Sequence, residues 1–421
     1  MVRLTLISLL LSLASTVAGA AGFTDTMTGT FDERIRTLRV VANDDIFAPP
    51  VLFLNAPGSI TISFDHLADD REYFRYRLVH CNASWQPSGL VDSEIIDGFN
   101  EGLIEDFDYS RATTVHYVNY RLTIPNADMA PMVSGNYLLQ IYRQDDPDTI
   151  VAQCRFMVSE QSAVIGAEIT SRTDRDYNEA SQQLSLAVDV ERSGVRDLFN
   201  DVRVMIQQNG RLDSEVALVQ PLRVSGRTLI YEHQPGLIFD AGNEYRRFET
   251  TSVNYPGMRV AHIEWLDPYY HFTIETDTPR NTGQYLYDST QRGRFVVREY
   301  SSTESDTEAD YAVVHFTLDY PETPGLMIFL DGDFVNRRFD SSSQMAYNEA
   351  TGRYERALLL KQGSYNYQYL AVPPKKSRGY TSVIEGDRYQ TVNEYLVKVY
   401  TRRQGERYDR LIGVASFLSD R

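Results

Sequence analysis

The stretch FDHLADDREYFRYRLVHCNASW, residues 64–85, carries the clearest strand pattern in the chain. Within it, the segment FRYRLV alternates apolar or aromatic side chains with more polar ones, and residues 60–64 alternate in the same way. Because successive side chains of a strand point to opposite faces, both segments are predicted to be half-buried strands. Asp69 and Asp70 between them predict a hairpin or a short loop. A further strand is predicted at residues 113–124, with a bulge near Asn119.

The composition extends this strand prediction to the whole chain. The 421 residues are too many for one ordinary hydrophobic core, so two or three domains are expected. The hydrophobic content of 42% is enough for packed interiors, and 28 Tyr with 19 Phe favour strands over helices. We therefore predict an all-β protein built from tandem antiparallel, immunoglobulin-like β-sandwich domains.

The N-terminus has the pattern of a secretory signal peptide at residues 1–20. Arg3 precedes an apolar run, and small residues follow, ending in Ala18, Gly19 and Ala20. No later segment approaches the roughly 18 continuous apolar residues that a membrane-spanning helix needs. These features predict an exported protein that is soluble after export.

Four further units are predicted along the rest of the chain. Residues 21–160 form a first β-sandwich, and residues 161–300 form a second β-domain. The segment SSTESDTEAD, residues 301–310, is polar and acidic and has the composition of a flexible linker. Residues 311–421 then form a C-terminal sandwich of about immunoglobulin size.

Charge and cysteine content narrow the possible functions. A net charge of -17 argues against nucleic acid and anionic lipid as partners, because both bind through positive charge. The two cysteines, Cys81 and Cys154, exclude a zinc site of four thiolates. They form either a disulfide in an oxidising compartment or two buried free thiols on neighbouring strands, and the sequence leaves both alternatives open.

The chain contains none of the common catalytic motifs, including the phosphate loop, the zinc-protease helix and the nucleophile elbow. Asp331 and Asp333 have the spacing of a metal or acid–base pair, but Gly332 between them favours a turn. The alternating Tyr365, Tyr367 and Tyr369 form either a sugar-stacking platform or one half-buried sheet face. We therefore predict no catalytic, cofactor or metal site.

Several motifs together resemble the type IX secretion system plug protein family of the Bacteroidota. They recur in order through most of the mature chain, and they include FDHL at residues 64–67, HCNASW at 80–85, SGNYLL at 134–139 and KQG at 361–363. The signature residues within the first domain are Phe64, Asp65, His80, Cys81, Asn82, Trp85, Gly135, Asn136 and Tyr137. We interpret them as determinants of the fold.

The resemblance implies a non-enzymatic protein on the periplasmic side of the outer membrane. Its partner would be the giant β-barrel translocon of the type IX system, whose periplasmic mouth it would close by protein–protein contact, without inserting into the membrane itself. The C-terminal unit separately resembles an early-set immunoglobulin domain of the glycogen-binding type. Arg337 and Arg338 follow Asn336, however, where a sugar-stacking aromatic residue is expected.

Two other hypotheses belong to different functional classes. A periplasmic or secreted glycan-binding module would use Tyr365 and Tyr367 to stack on sugars. A hydrolase would need clustered carboxylates in a pocket, with strongly shifted pKa values.

Overall fold

The structure, a computed structural model, describes residues 26–218 and 220–419. The predicted signal peptide lies outside these ranges. Almost all regular structure within them is β-strand, and the two α-helices that occur there are one turn long, Asp92–Ile95 (α1) and Ser305–Glu308 (α2). The predicted all-β fold of packed antiparallel sheets is confirmed.

The first domain contains twelve strands in chain order. Their bounds are β1 Gly29–Thr30, β2 Ile35–Ala42, β3 Val51–Phe53, β4 Ile60–His66, β5 Phe74–Cys81, β6 Ile96–Gly98, β7 Gly102–Leu103, β8 Asp106–Tyr109, β9 Val118–Ile124, β10 Met129–Pro131, β11 Gly135–Arg143 and β12 Asp146–Ser159. One sheet has the order β1-β12-β11-β5-β7, with β3 parallel to β12, and the other has the order β2-β4-β9-β8.

The strands β4 and β5 lie in different sheets, so the predicted hairpin between them is wrong and the alternative of a short loop is right. Asp69 and Asp70 belong to the loop that passes from one sheet to the other. The two strands bring their apolar faces together across the domain, where the ring of Phe64 stacks on Tyr120 and meets the edge of Phe74. The apolar face of β4 and the apolar face of β5 cover the same core from opposite sheets. For this reason the two strands do not pair with each other.

The strand predicted at residues 113–124 begins later, at Val118, and the bulge predicted near Asn119 is absent. Its pairing with β4 continues in register from Val118 to Ile124. The preceding residues leave the sheet because their polar groups bind the third domain, as when the Thr114 amide donates to the Asp310 carboxylate (2.8 Å).

The second domain begins with seven strands. They are β13 Val164–Thr170, β14 Ser181–Asp189, β15 Val202–Gln208, β16 Val216–Leu218, β17 Arg223–Ser225, β18 Thr228–Tyr231 and β19 Ile238–Asp240, with a 3₁₀ turn at Pro235–Leu237. One of its sheets has the order β13-β14-β18-β17, with β19 beside β14.

The third domain follows with nine strands. They are β20 Arg246–Glu249, β21 Val260–Leu266, β22 Tyr269–Ile274, β23 Phe295–Val297, β24 Tyr311–Leu318, β25 Met327–Asp331, β26 Ala346–Asn348, β27 Arg353–Lys361 and β28 Gly363–Val372. The order of one sheet is β21-β22-β24-β27-β26, and the other places β20, β23 and β25 around β28.

The last two strands, β29 Glu394–Thr401 and β30 Arg410–Leu418, return to the second domain. They complete its other sheet in the order β16-β15-β29-β30. Their apolar side chains Val397, Val399 and Ile412 enter the same core as Val204 of β15. The third domain is therefore inserted into the second, which differs from the division expected at residues 300 and 311.

The acidic segment 301–310 is not a connection between two domains in this structure. It joins β23 and β24 of the third domain and includes α2. Its polar groups bind the first domain, because the amide of Arg111 donates to the carbonyl of Thr307 (2.8 Å) and Thr114 Oγ1 donates to Asp310 (2.6 Å). These partners account for a composition that otherwise predicts a flexible linker.

Candidate functional site

The signature residues divide between the core of the first domain and its two junctions with the other domains. Phe64 and Tyr137 are buried within the first-domain core. Asp65 lies at the junction with the third domain, where it binds Lys361. Asn136 lies at the junction with the second domain, where it binds Tyr400 of β29.

The junction with the third domain is centred on a fully buried ion pair. Lys361, at the end of β27, places Nζ 2.7 Å from Oδ2 of Asp65, and both side chains are completely buried. The hydroxyl of Tyr311 donates to the same carboxylate oxygen (2.6 Å), and Asn119 Nδ2 donates to the other oxygen (2.7 Å). Buried charges are tolerated where such partners satisfy them.

Further contacts surround this ion pair. Lys361 Nζ also donates to the carbonyl of Asp306 (2.7 Å) and lies 4.0 Å from the centre of the Tyr117 ring. The Tyr117 hydroxyl donates to the carbonyl of Ala309 (2.8 Å). Burial lowers the pKa of Lys361, although the charge of Asp65 opposes that shift. This junction holds the two domains in one orientation.

His80 is the first residue of the HCNASW motif, and it is buried in its own domain. Its Nε2 lies 3.1 Å from the carbonyl of Ser134, and its Nδ1 lies 2.8 Å from Oγ of Ser88. A carbonyl only accepts, so Nε2 carries the proton. Burial lowers the pKa of His80, which favours the neutral ring. A Cβ on Gly135, which has φ of +141°, would lie 2.3 Å from Nε2, so this position requires glycine.

The rest of the motif contacts the C-terminal strands β29 and β30 and the loop between them, in part through Asn136. Asn136 Nδ2 donates to the carbonyl of Asn82 (2.9 Å), and the hydroxyl of Tyr400 donates to Asn136 Oδ1 (2.7 Å). The amide of Ala83 donates to the carboxylate of Asp409 (2.8 Å). Trp85 is buried in the apolar cluster that these strands share with the first domain. The motif therefore joins the first domain to the second.

The two cysteines are free and buried, so the disulfide alternative is not present. Cys81 lies on β5 and Cys154 on β12, and β11 separates these strands. Neighbouring strands are about 4.8 Å apart, so two strand spacings exceed the Cα separation of about 7 Å that a disulfide allows. The thiols also face opposite ways, because Cys154 lies in the first-domain core and Cys81 in the cluster next to the second domain. Burial raises the pKa of each thiol to about 12.

The tyrosine row does not form a sugar-stacking platform, because all three rings are buried in the core of the third domain. Tyr367 and Tyr369 donate to the same oxygen of Asp277 (2.7 and 2.8 Å). Asp277 is also paired with Arg246 (2.6 Å). The strand β28 lies in the middle of its sheet, and both of its faces are covered. The second alternative predicted for the tyrosines is one half-buried sheet face, and the strand is more deeply buried than that.

Asp331 and Asp333, which have the spacing of a metal or acid–base pair, each bind a different neighbouring side chain. Asp331 accepts from Gln368 (2.8 Å) and Asp333 from Arg337 (2.6 Å), and a 3₁₀ turn occurs at Asp333–Val335. No group of three or more His, Cys, Asp or Glu side chains in these ranges is arranged to hold a metal ion.

The cavity between the first and third domains has a volume of about 580 Å³. Its lining includes four acidic residues. Asp32, Asp333 and Asp340 are each paired with an arginine, at 2.5, 2.6 and 2.9 Å, and Glu33 is exposed.

The sequence analysis missed an exposed apolar pair, Trp265 and Leu266, at the end of β21. The sequence contained a signal for this exposed pair. The two bulky residues directly precede Asp267 and Pro268, which are typical of a hairpin turn, and residues beside such a turn are usually polar. Among the described residues, no helix has the length and apolarity needed to cross a membrane.

The fold and its junctions thus define a class: a multidomain β-sandwich protein whose buried polar clusters hold its domains together. Residues 35–160 match the model of the type 9 secretion system plug protein 1st domain. A hypothetical protein from Parabacteroides merdae ATCC 43184, known from its crystal structure, is 42% identical in sequence to this chain. The match covers 93% of this chain and 99% of that chain, and the TM-score of the two structures is 0.92. The chain belongs to the same family as that protein, and its first domain is that of type 9 secretion system plug proteins.

The other comparisons add little. A crystal structure of native α2-macroglobulin from Escherichia coli spanning domains NIE-MG1 contains a chain that is 11% identical to this one. The match covers 41% of this chain and 87% of that chain, and its TM-score of 0.14 is too low to carry an argument. No curated protein matches the chain. The first-domain family points to a role in type 9 secretion and to a periplasmic or outer-membrane-associated location. Together with the all-β fold, it favours a non-enzymatic role.

Proposed function

We propose that this protein is a plug of the type 9 secretion system, which closes the periplasmic mouth of the outer-membrane translocon by protein–protein contact. The observation that carries the proposal is the locking of the three domains into one body by buried contacts between them. Asp65 with Lys361 joins the first and third domains, and Asn136 with Tyr400 joins the first and second. A protein that blocks an opening through its shape must keep that shape under thermal motion.

The junction between the second and third domains supports the same function. Arg294 pairs with Glu394 of β29 (2.8 Å), and Arg211 donates to the carbonyl of Gly379 (2.7 Å). Arg211 is itself paired with Asp213 (2.6 Å). Each domain therefore contacts both others through buried polar groups, and rotation of one domain would break several of these contacts at once.

A plug must also be released when cargo passes. If plugging is a two-state equilibrium, a change from about 1% to about 99% open requires roughly 5.5 kcal/mol of differential binding. A few anchoring side chains in a polar surface provide energies of this size, whereas a large apolar interface would hold the plug permanently. The acidic net charge of this chain, -17, suits such a reversible contact.

The experiment is deletion of the gene in a strain whose translocon is present. We expect increased entry of a hydrophilic fluorescent probe that is too large for ordinary porins, and restoration of the barrier by the wild-type gene. A second deletion that also removes the translocon serves as the control, because its loss should abolish the extra leak. Unchanged entry after deletion in the translocon-containing strain would contradict the proposal.

A further inference from the structure

The strand β21 is an edge strand of the third domain. It pairs with β22 along one side, and no strand in the described ranges pairs with its other side. Every second residue of such a strand directs its N–H and C=O groups away from the sheet. Ala261, His262 and Glu264 are exposed, so this edge is open to solvent.

Two bulky apolar side chains mark the end of this open edge. Trp265 is 46% exposed and Leu266 is 50% exposed. The ring of Trp265 meets the edge of the Tyr270 ring at a centroid distance of 4.8 Å, which holds it in place. Natural proteins protect exposed edges with lysine, proline or a β-bulge. β21 contains no lysine or proline, and its one irregularity, between Val260 and His262, lies at the end of the strand away from Trp265.

The two faces of β21 differ in chemistry. Ile263 packs against the core of the third domain, and Trp265 follows it on the same face because the side-chain period of a strand is two. His262, Glu264 and Leu266 lie on the other face. A strand added to this edge would therefore place apolar side chains beside Ile263 and Trp265, and polar or basic side chains near Glu264.

We propose that the edge of β21 binds an extended segment of the translocon by strand addition, with Trp265 and Leu266 as the anchoring side chains. This inference rests on the proposed plug function. The occupant is a polypeptide because a row of unpaired amides and carbonyls matches only another extended backbone. Exposed tryptophan is among the side chains that contribute most to protein interfaces.

The test is co-isolation of the translocon with the tagged full-length protein from outer membranes. The variant is Trp265→Ser with Leu266→Ser. The control is Leu286→Ser with Tyr287→Ser, which removes an apolar pair of the same domain that is 80% and 69% exposed. We expect the control to retain as much translocon as the wild type does. The β21 variant should retain less translocon than the wild type by a factor of at least roughly ten.

Equal retention by wild type and the β21 variant would overturn this inference and leave the plug function intact. Failure of the wild-type protein to co-isolate would instead overturn the plug function, and the inference with it. A second measurement does not depend on the folding of the variant: the photo-crosslinking amino acid p-benzoylphenylalanine at position 265 should link to the translocon. The same amino acid at position 287 should not, and links from both positions or from neither would count against β21.

Discussion

At the scale of single residues, Lys361 is the side chain on which the junction of the first and third domains most depends. Replacement by methionine keeps much of its length but removes the charge, which leaves Asp65 buried without its cation. Breaking a buried ion pair in this way costs about 3–5 kcal/mol. We expect Lys361→Met to lower the free energy of unfolding by that amount, measured from urea unfolding curves.

Two controls separate charge from packing at this site. Lys376→Met removes an exposed lysine and should leave the urea midpoint unchanged. The double variant Asp65→Leu with Lys361→Met removes both charges and should recover part of the loss, because no charge is left unpaired. A single variant Lys361→Met as stable as the wild type would show that the ion pair does not hold the junction.

Glu385 gives a prediction for the dependence of stability on pH. Burial alone would raise the pKa of Glu385, but the charges of Arg246 and Arg280 and the hydrogen bonds to Arg246 and the Tyr369 amide outweigh it and lower the pKa to about 2. The unfolded state therefore binds this proton more readily between about pH 4.5 and pH 2. Its contribution to stability is fully present above about pH 4.5 and is lost as the pH falls to about 2.

The size of this contribution is roughly 3 kcal/mol. Acid titration followed by circular dichroism should show the loss, and Glu385→Gln should be less stable at neutral pH but less sensitive to pH in this window. Glu349→Gln, at an exposed position, is the control. If Glu385→Gln and wild type lost stability in parallel over this window, Glu385 would not be the titrating group.

The importance of residues 64–85 and 134–139 could be predicted from the sequence, but their partners could not. Asp65 and Lys361 are separated by 296 positions, and Ala83 and Asp409 by 326. A local pattern describes which face of a strand is apolar, and it contains no information on which distant strand will cover that face.

At the scale of elements, most strands could be predicted from alternation, whereas their pairing could not. β29 has the pattern of a core strand, but nothing in residues 394–401 indicates that β15, almost two hundred positions earlier, is its neighbour. The insertion of the third domain into the second therefore required the structure. The same limit explains why β28, with both faces covered, has the alternating pattern of a half-buried strand.

This arrangement predicts the effect of removing the last two strands. Deletion of residues 394–421 should expose the second-domain core, because β15 loses its partner β29 and the core loses Val397, Val399 and Ile412. We expect amide hydrogens of β15 to exchange rapidly in this variant, measured by hydrogen exchange with mass spectrometry. Amides of β24 in the third domain serve as the internal reference and should stay protected. Retained protection of β15 would show that the second domain folds without its C-terminal strands.

At the scale of the whole molecule, the three junctions predict that the domains unfold together. Tandem sandwiches joined by flexible linkers unfold one by one, whereas domains that share buried contacts lose stability when any one of them opens. Here each domain contacts both of the others. The two parts of the second domain are connected along the chain only through the third domain, which is inserted between them. Cooperative unfolding of this kind would leave no partly open form populated, which is what the proposed plug function requires.

The two tryptophans allow a direct test of this cooperativity. The variant Trp265→Phe leaves only Trp85, which is buried at the junction of the first and second domains and lies with its ring 4.2 Å from the guanidinium carbon of Arg155. We expect its fluorescence and the far-ultraviolet circular dichroism of all strands to change at the same urea concentration, because the junction opens only when the domains unfold. Asn136→Leu removes the hydrogen bonds to Tyr400 and Asn82 at this junction and should separate the two transitions. A fluorescence change well before the loss of strand signal in the Trp265→Phe variant itself would mean that the domains move independently, and a rigid plug would then be the wrong description of the molecule.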